Sequence, residues 1–209
     1  YKKKFGVSTQ HYSFAVKAFV DMVKSYDMSQ YEFAIRETKT RDVISDVSTM
    51  RSEIGVLYLC DFNRKAIQKL LSSAGLEFHH LIDCQAYVYL WKNHPLAKEK
   101  EVTIEMLRDE PIIMYNTDSV QNTTLNARFE NAGITPNIIM HASQLYTIER
   151  FLQNGNCGAV LYSSLVKNMN GVKGIPITPL IQQEIGIVWK KGKYMNGSVE
   201  KWIDFIRNK

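Results

Sequence analysis

Four short stretches of hydroxyl and amide side chains are the residues of this 209-residue chain best suited to hold a polar small molecule. They are Ser8-Thr9-Gln10-His11, Thr38-Lys39-Thr40, Tyr115-Asn116-Thr117-Asp118 and His141-Ala142-Ser143. Each follows an apolar run that predicts a strand and precedes a stripe that predicts a helix. Hydroxyls and amides beside free helix N–H groups suit a carboxylate, a sulfate or a sugar hydroxyl. The stretches therefore predict a ligand site, although each Ser, Thr or Asp would also suit a cap of its own helix.

Catalysis has weaker support in the residues. The sequence contains no GxSxG, HExxH, GxxxxGK[ST] or GxGxxG, which are typical of nucleophile-elbow hydrolases, zincins and nucleotide enzymes. Three histidines fall within or just after one long predicted strand and are expected to be structural or exposed: His79, His80 and His94. His11 and His141 stand at the polar junctions, where we expect them to contact an anionic ligand. An acid–base pair of either one with Asp118 is the only arrangement that would favour an enzyme, and we predict no catalytic residues.

The cysteines predict neither a metal centre nor a disulfide framework. Cys60, Cys84 and Cys157 form no CxxC pair, and their separations match no zinc or iron–sulfur pattern. An odd number of widely spaced cysteines is typical of reduced thiols in a cytoplasmic protein. We expect no metal and no cofactor.

Composition and charge restrict the class of protein further. With 45% apolar and 22% charged residues the chain is expected to fold as a globular protein rather than to be disordered or collagenous. The net charge of +5 is dispersed, which favours a solvated surface over a nucleic-acid footprint on this chain. No apolar stretch approaches the roughly 18–20 residues that span a bilayer, and the N-terminus has no charged-then-apolar pattern of a secretory signal. Because the first residue is Tyr1, we expect a fragment or a processed chain.

The hydrophobic pattern predicts the elements that position these residues in a first βαβαβ unit. Its predicted strands and helices are a strand at 5–8, a helical stripe at 15–26, a strand at 31–37, a stripe at 43–50 and a buried strand at 54–59. A further helix ends at Gly75, and a β-prone run of about sixteen residues follows, from Leu76 to Trp91. A strand of that length typically crosses between two bodies.

The pattern then restarts as a second βαβαβ unit. Its predicted elements are a short helix capped by Thr103, a strand at 111–115, a helix ending at Gly133, a strand at 137–140, a helix capped by Ser143 and a strand at 159–161. An extended passage from 175 to 187 follows, interrupted at Pro176 and Pro179, and a final helical stripe covers 199–206.

These elements predict an α/β fold of two Rossmann-like lobes with parallel sheets, joined by two crossover strands. Lobe I would comprise residues 1–82 and 182–209, and lobe II residues 83–181. Ligands of open α/β sheets bind outside the carboxyl ends of the strands, so we expect a ligand cleft between the lobes. Hinges are expected near 82–84 and 179–181.

Five sequence features in this order resemble the effector-binding domain of LysR-type transcriptional regulators. They are the order of elements, His94-Pro95-Leu96-Ala97 after a long strand, Val102-Thr103-Ile104-Glu105-Met106-Leu107-Arg108-Asp109-Glu110-Pro111-Ile112-Ile113, Phe129-Glu130-Asn131-Ala132-Gly133-Ile134-Thr135-Pro136 and Phe151-Leu152-Gln153-Asn154-Gly155. The resemblance covers essentially the whole chain. It implies the fold of type 2 periplasmic binding proteins and a domain that senses a small metabolite between its lobes, without being an enzyme.

The resemblance also implies partners and site residues. Family members contact DNA through a winged helix-turn-helix that precedes this domain and is absent from this chain, and they form homodimers or homotetramers in the cytoplasm. Family ligand positions map onto Ser8, Thr9, Gln10, Thr38, Asn116 and Thr117, to which the reasoning from the residues adds His11, Ser143 and Tyr162. The chain departs from the family pattern at Ser52-Glu53, at Cys157 and at Tyr162, which stands where the family has proline.

The sequence therefore predicts an effector-sensing domain that binds an anionic or polar metabolite and has no membrane partner. The main alternative is an exported solute-binding protein of a transporter, which shares the fold and needs an export signal upstream. A small-metabolite enzyme and a dimerisation domain with an empty cleft are the other readings left open.

Overall fold

The chain folds into two compact units. The computed structural model describes residues 1–115, 123–162, 169–193 and 197–207. The first unit comprises Tyr1–Leu59, Asn63–Asp83 and Glu184–Lys209, and the second comprises Cys60–Phe62 and Cys84–Gln183. Two long strands run from one unit into the other, because the unit boundaries at 83/84 and 183/184 fall inside them.

The first unit is a five-stranded sheet with helices. Its elements are β1 (Lys3–Thr9), α1 (Ser13–Val23), β2 (Tyr31–Glu37), α2 (Thr40–Ser48), β3 (Ile54–Leu59), α3 (Arg64–Ser73), the first half of β4 (Leu76–Trp91), most of β10 (Gln182–Lys190) and α6 (Gly197–Arg207). The strand order is β2-β1-β3-β10-β4. The three βαβαβ strands are mutually parallel, and β10 is antiparallel to β3.

The core of this unit is built on β3, whose six residues are all buried. Val43 and Val47 of α2 and Leu71 of α3 pack with residues of β3 in one apolar cluster. Gly55 lets α2 lie close to the sheet, because a Cβ at this position would stand 2.7 Å from a methyl group of Val43. An uninterrupted apolar strand of this kind is typical of a sheet covered on both faces.

The second unit is also a mixed sheet. Its elements are the second half of β4, β5 (Val102–Thr103), β6 (Ile112–Tyr115), α4 (Thr123–Asn131), β7 (Ile138–Ala142), α5 (Leu145–Leu152), β8 (Gly158–Tyr162) and β9 (Val172–Thr178). The order is β9-β4-β8-β6-β7, with the short β5 on β9. Strand β6 is parallel to β7 and β8, whereas β4 is antiparallel to β8 and β9.

Four local expectations differ from the structure. Neither sheet is purely parallel, because the long strands enter them antiparallel. Pro176 does not interrupt β9 but pairs with Tyr87 of β4. On its other edge β9 pairs with β5 only through its last two residues. The backbone nitrogen of Pro176, which carries no hydrogen, can therefore face a free edge. Ser143 does not cap α5, since β7 continues to residue 142 and the N-cap is Gln144. Thr103 precedes only a 3-10 turn, where its Oγ1 accepts a hydrogen bond from the backbone N–H of Met106 at 3.4 Å.

Within the described part of the chain, no helix has the length and apolar content needed to span a membrane.

Candidate functional site

In the first unit, the polar junctions after β1 and β2 lie side by side. Thr9 is paired with Glu37 at the ends of these strands, and the backbone N–H of Thr38 donates to the carbonyl of Thr9 at 2.8 Å. Helices α1 and α2 begin at residues 13 and 40, and neither has a side-chain hydrogen bond from its N-cap residue. The positive ends of two helix dipoles therefore lie close in sequence to hydroxyl and amide groups, an arrangement that suits an anionic or hydroxylated ligand.

The side-chain amide of Gln10 is hydrogen-bonded at both ends within this junction. Its Nε2 donates to Oγ1 of Thr40 at 2.7 Å, and its Oε1 accepts from the hydroxyl of Tyr12 at 2.7 Å. Both ends of the buried Gln10 amide are thus hydrogen-bonded within the junction. The hydroxyl of Thr9, which is fully buried, donates to the carbonyl of Gln10 at 2.9 Å. Together these bonds preorganise the turn between β1 and α1.

Ser8 faces a different set of partners. Its Oγ donates to Oδ2 of Asp46 in α2 at 2.6 Å and lies 2.7 Å from Oγ of Ser52. Oδ1 of Asp46 is also 3.6 Å from the guanidinium of Arg51. Successive side chains of a strand point to opposite faces, which separates Ser8 from Thr9 although both are buried. The structure thus gives the Ser8 hydroxyl a role in holding α2 against β1.

His11 and Thr38 line the more exposed side of the same junction. Nδ1 of His11 lies 3.1 Å from Oε2 of Glu37, and both side chains are about one-third exposed. Oγ1 of Thr38 donates to Oδ2 of Asp42 in the first turn of α2 at 3.1 Å. The junction therefore carries acidic as well as donor groups, and its hydrogen bonds, rather than a dense positive charge, define what it can bind.

In the second unit the structure describes two of the four predicted ligand positions. Asn116 and Thr117 lie outside the described residues. Ser143 is exposed at the start of α5. Tyr162 is buried at the end of β8, and burial raises the pKa of its phenol strongly, with the nearby Cys60 thiol adding to this rise and a hydrogen bond with Thr124 opposing it. The phenol is therefore a neutral hydrogen-bonding group at neutral pH.

Sequence reasoning missed several charged or buried polar groups near the connecting strands. Arg128 of α4 donates to the carbonyls of Pro179 and Leu180 at 3.2 and 2.7 Å, and therefore fixes the segment before β10 to the second unit. Gln183 of β10 is a buried amide that is only 3% exposed. The alternation of β10, in which Gln183 shares a face with Ile185, was the only signal that could have indicated its burial.

All three cysteines are buried, and none of them forms a disulfide. Burial raises the pKa of Cys157, whose Sγ lies 3.7 Å from the carbonyl of Phe151. A buried thiol with a raised pKa is inert at neutral pH, because the thiolate is the reactive form. Among the residues that the structure describes, no group of three or more His, Cys, Asp and Glu side chains could hold a metal ion.

Comparison with known proteins gives the family. The LysR substrate binding domain family matches residues 29–209. An uncharacterized HTH-type transcriptional regulator of Bacillus subtilis (strain 168), YwbI, is 29% identical over 120 residues, which are 56% of this chain and 40% of that protein. The chain belongs to the LysR substrate binding domain family. It spans less than half the length of the curated relatives that it matches.

Solved structures establish the fold independently. The regulatory domain of Synechocystis PCC6803 CcmR in complex with 2-PG superposes with a TM-score of 0.75 at 13% identity, covering 99% of this chain and 97% of that one. The effector binding domain of QuiR in complex with shikimate gives a TM-score of 0.69 at 16% identity, covering 100% and 97%. The predicted α/β fold of the type 2 periplasmic-binding-protein class is confirmed.

Proposed function

We propose that this chain is the effector-sensing part of a LysR-type transcriptional regulator and that a small anionic or polar metabolite binds at the junction after β1 and β2. The observation that carries the proposal is the cluster of Thr9, Gln10, Thr38 and Thr40 beside the first turns of α1 and α2. Family membership supports the regulatory role, and the ligand-bound neighbours support a small polar effector.

The chemistry of the junction favours hydrogen-bond acceptors on the ligand. Backbone N–H groups of helix first turns, threonine hydroxyls and an amide are donors that suit carboxylate, phosphoryl or hydroxyl oxygens. The hydroxyls of Thr9 and Thr38 donate within the protein, so each would donate to a ligand by exchanging its present acceptor for a ligand oxygen. His11 provides a further donor when it is protonated, while Glu37 and Asp42 select against a ligand with extended negative charge. A compact oxyanion or a hydroxylated carboxylic acid fits this set best.

In this proposal the effector acts by shifting an equilibrium between two arrangements of the protein. A ligand shifts such an equilibrium only by its difference in affinity for the two states, and a coupling of about 1–3 kcal/mol would give a 5–150-fold response. DNA binding belongs to a winged helix-turn-helix outside this chain, the assembly is a homodimer or homotetramer, the location is cytoplasmic and no chemical step is catalysed. That one effector contacts both units, as Asn116, Thr117, Ser143 and Tyr162 would require, stays a prediction.

The sequence of the coding region upstream of Tyr1 tests the regulatory role. A winged helix-turn-helix followed by a linker helix is expected. A cleavable export signal or a lipoprotein cysteine would contradict the proposal and establish the exported solute-binding protein instead.

Binding itself is tested by thermal shift of this chain with a fixed set of probes: sulfate, inorganic phosphate, shikimate and 2-PG. A saturating ligand at 100 times its Kd stabilises the folded state by about 2.7 kcal/mol, which a thermal scan detects readily. We expect at least one probe to raise the Tm. Conversion of a bound probe to a product would favour the enzyme reading.

A further inference from the structure

A cluster of charged side chains lies where both connecting strands leave the first unit. Glu184 is the first residue of β10 that belongs to this unit, and Asp83 is the last residue of β4 that does. The carboxylate of Glu184 accepts a hydrogen bond from Nη1 of Arg64, the first residue of α3, at 2.8 Å. Its other oxygen lies 2.6 Å from Nδ1 of His80 in β4. One carboxylate therefore joins a helix and two strands.

The position of this cluster matters because the other flank of the same segment is also fixed. Arg128 binds the carbonyls of Pro179 and Leu180, and the backbone N–H of Ala86 donates to the carbonyl of Ile181 at 2.8 Å. These bonds hold the start of the second crossing within the second unit. Only residues 182 and 183 lie between the residues held by these bonds and Glu184. Backbone rotation in this crossing is therefore confined to the few residues on either side of the unit boundary.

We propose that Glu184 is a positioning residue that, with Arg64 and His80, forms a proton-dependent clamp on β4 and β10 at the residues through which the chain passes between its units. The clamp tightens when His80 is protonated, because a hydrogen bond between two charged groups is stronger than one with a neutral imidazole. It therefore restricts the connecting strands more at mildly acidic pH than at mildly alkaline pH. If the proposed effector response passes through these strands, the clamp makes that response pH-dependent.

The charges around His80 favour this switch. Glu184 of β10 and Asp83 of β4, whose Oδ1 lies 3.9 Å from Nδ1 of His80, both stabilise an imidazolium, whereas Arg64 of α3 opposes it from the far side of the shared carboxylate. Histidine changes its charge between about pH 5 and 8, and Glu184 stays ionised throughout that interval because the bonds from Arg64 and His80 outweigh its desolvation and lower its pKa. Gain or loss of one proton on His80 thus changes the contact between His80 and Glu184 from a hydrogen bond with a neutral imidazole to a charged pair, or the reverse.

The neighbouring histidine provides a matched control. His79 lies next to His80 on β4, and its ring stacks on Trp189 with a centroid distance of 3.9 Å while its Nε2 lies 3.3 Å from Glu77. Its partners are Trp189 and Glu77 rather than Glu184. His79→Gln therefore removes one histidine from the same strand and leaves the clamp intact.

The experiment is amide hydrogen exchange of the ligand-free chain at pH 5.5 and pH 8.0, corrected for the intrinsic pH dependence, in peptides that cover residues 80–87 and 180–187. In the wild type we expect amide protection in both peptides to be about fivefold higher at pH 5.5 than at pH 8.0. This is the size of effect that a partly exposed ion pair contributes. His80→Gln and Glu184→Gln should each abolish this difference, and His79→Gln should keep it. Retention of the difference in His80→Gln, its loss in His79→Gln or its absence in the wild type would overturn the proposal. Because no effector is present, the result does not depend on the proposed ligand site, and the thermal-shift test does not depend on the clamp.

Discussion

Thr9 and Ser8 are adjacent, similar in chemistry and completely buried, yet their hydroxyls have different partners. Thr9 donates to a carbonyl in the turn that precedes α1, and Ser8 donates to a carboxylate in α2. A sequence motif places both residues in one ligand site. Because the Ser8 hydroxyl bonds to α2 and the Thr9 hydroxyl bonds within the turn before α1, we predict that substitutions at the two positions have separable effects.

Thr9→Val should weaken effector binding and lower the free energy of unfolding by about 1 kcal/mol. Valine keeps the volume of threonine and removes one hydrogen bond, which costs about 1 kcal/mol. If Thr9 also bonds to a charged ligand, affinity should fall at least about tenfold. Isothermal titration with the best probe measures the affinity, and urea unfolding measures the stability.

Thr49→Val is the matched control. Thr49 lies at the end of α2, where its Oγ1 donates to the carbonyl of Ser45, so the same hydrogen-bond type is lost away from the junction. The affinity of Thr49→Val for the probe should equal that of the wild type. Unchanged affinity in Thr9→Val, or an equal loss in Thr49→Val, would remove Thr9 from the site.

Ser8→Ala should instead lower stability while leaving binding nearly unchanged. The substitution deprives the buried Asp46 carboxylate of its short hydrogen bond, and an unsatisfied buried acceptor costs about 1–3 kcal/mol. A double-mutant cycle with Asp46→Asn, followed by urea unfolding, should give an interaction energy of at least about 0.5 kcal/mol. Additive effects within error would show that the two side chains do not interact, and a loss of affinity without a loss of stability would return Ser8 to the ligand site.

At the scale of elements, the hydrophobic pattern predicted most strands and helices because burial and periodicity are local properties. Strands β2, β3 and β4 have the predicted bounds, and the predicted end of α3 at Gly75 agrees with its positive φ of 68°. The six-residue apolar run of β3 was decisive because a core helix would need more length and an amphipathic period.

The structure differs from the predicted elements where contacts with residues distant in sequence determine the local structure. Ser143 lost its predicted capping role because pairing with β6 extends β7 to residue 142. Pro176 stays within β9 because the short β5 leaves most of one edge free. The Glu184 and Arg128 contacts join residues 104 to 120 and 51 to 52 positions apart, so no local pattern could have indicated them.

Two glycines have the same backbone conformation but different surroundings. Substituting each of them distinguishes the cost of backbone strain from the cost of overpacking. Gly171 and Gly192 both have φ of 72°, but a Cβ at Gly171 would lie 2.3 Å from the indole of Trp91, whereas nothing stands within 4 Å of one at Gly192. Gly192→Ala should cost about 1–2 kcal/mol from the left-handed conformation alone. Gly171→Ala should cost a further 1–3 kcal/mol or so from overpacking. Urea unfolding of both variants tests this order, and equal losses would contradict the packing of Trp91 on Gly171.

For the whole molecule, Glu184 should couple global stability to pH. Burial opposes its ionisation, but hydrogen bonds from Arg64 and His80 outweigh burial and lower its pKa below the ordinary value of 4.5. A carboxyl with a depressed folded pKa stabilises the protein above the unfolded pKa, and this contribution is lost as the pH falls through the folded value.

Glu184→Gln should therefore cost about 1 kcal/mol at pH 7, as a partly buried charged pair does, and progressively less below about pH 4.5. Urea unfolding of variant and wild type between pH 3 and pH 7 gives the difference directly. A difference that stays constant over this range would mean that the carboxylate charge is not what stabilises the fold.

The central claim is that this member of the LysR substrate binding domain family binds its effector at the junction after β1 and β2. The most direct test is to follow the backbone amides of the ¹⁵N-labelled chain while titrating the probe that raises the Tm most. We expect saturable shifts centred on residues 9–13 and 38–42 that require about tenfold more probe in Thr9→Val and the same amount in Thr49→Val. Saturable shifts confined to other parts of the chain, or identical titrations in the wild type and Thr9→Val, would contradict it.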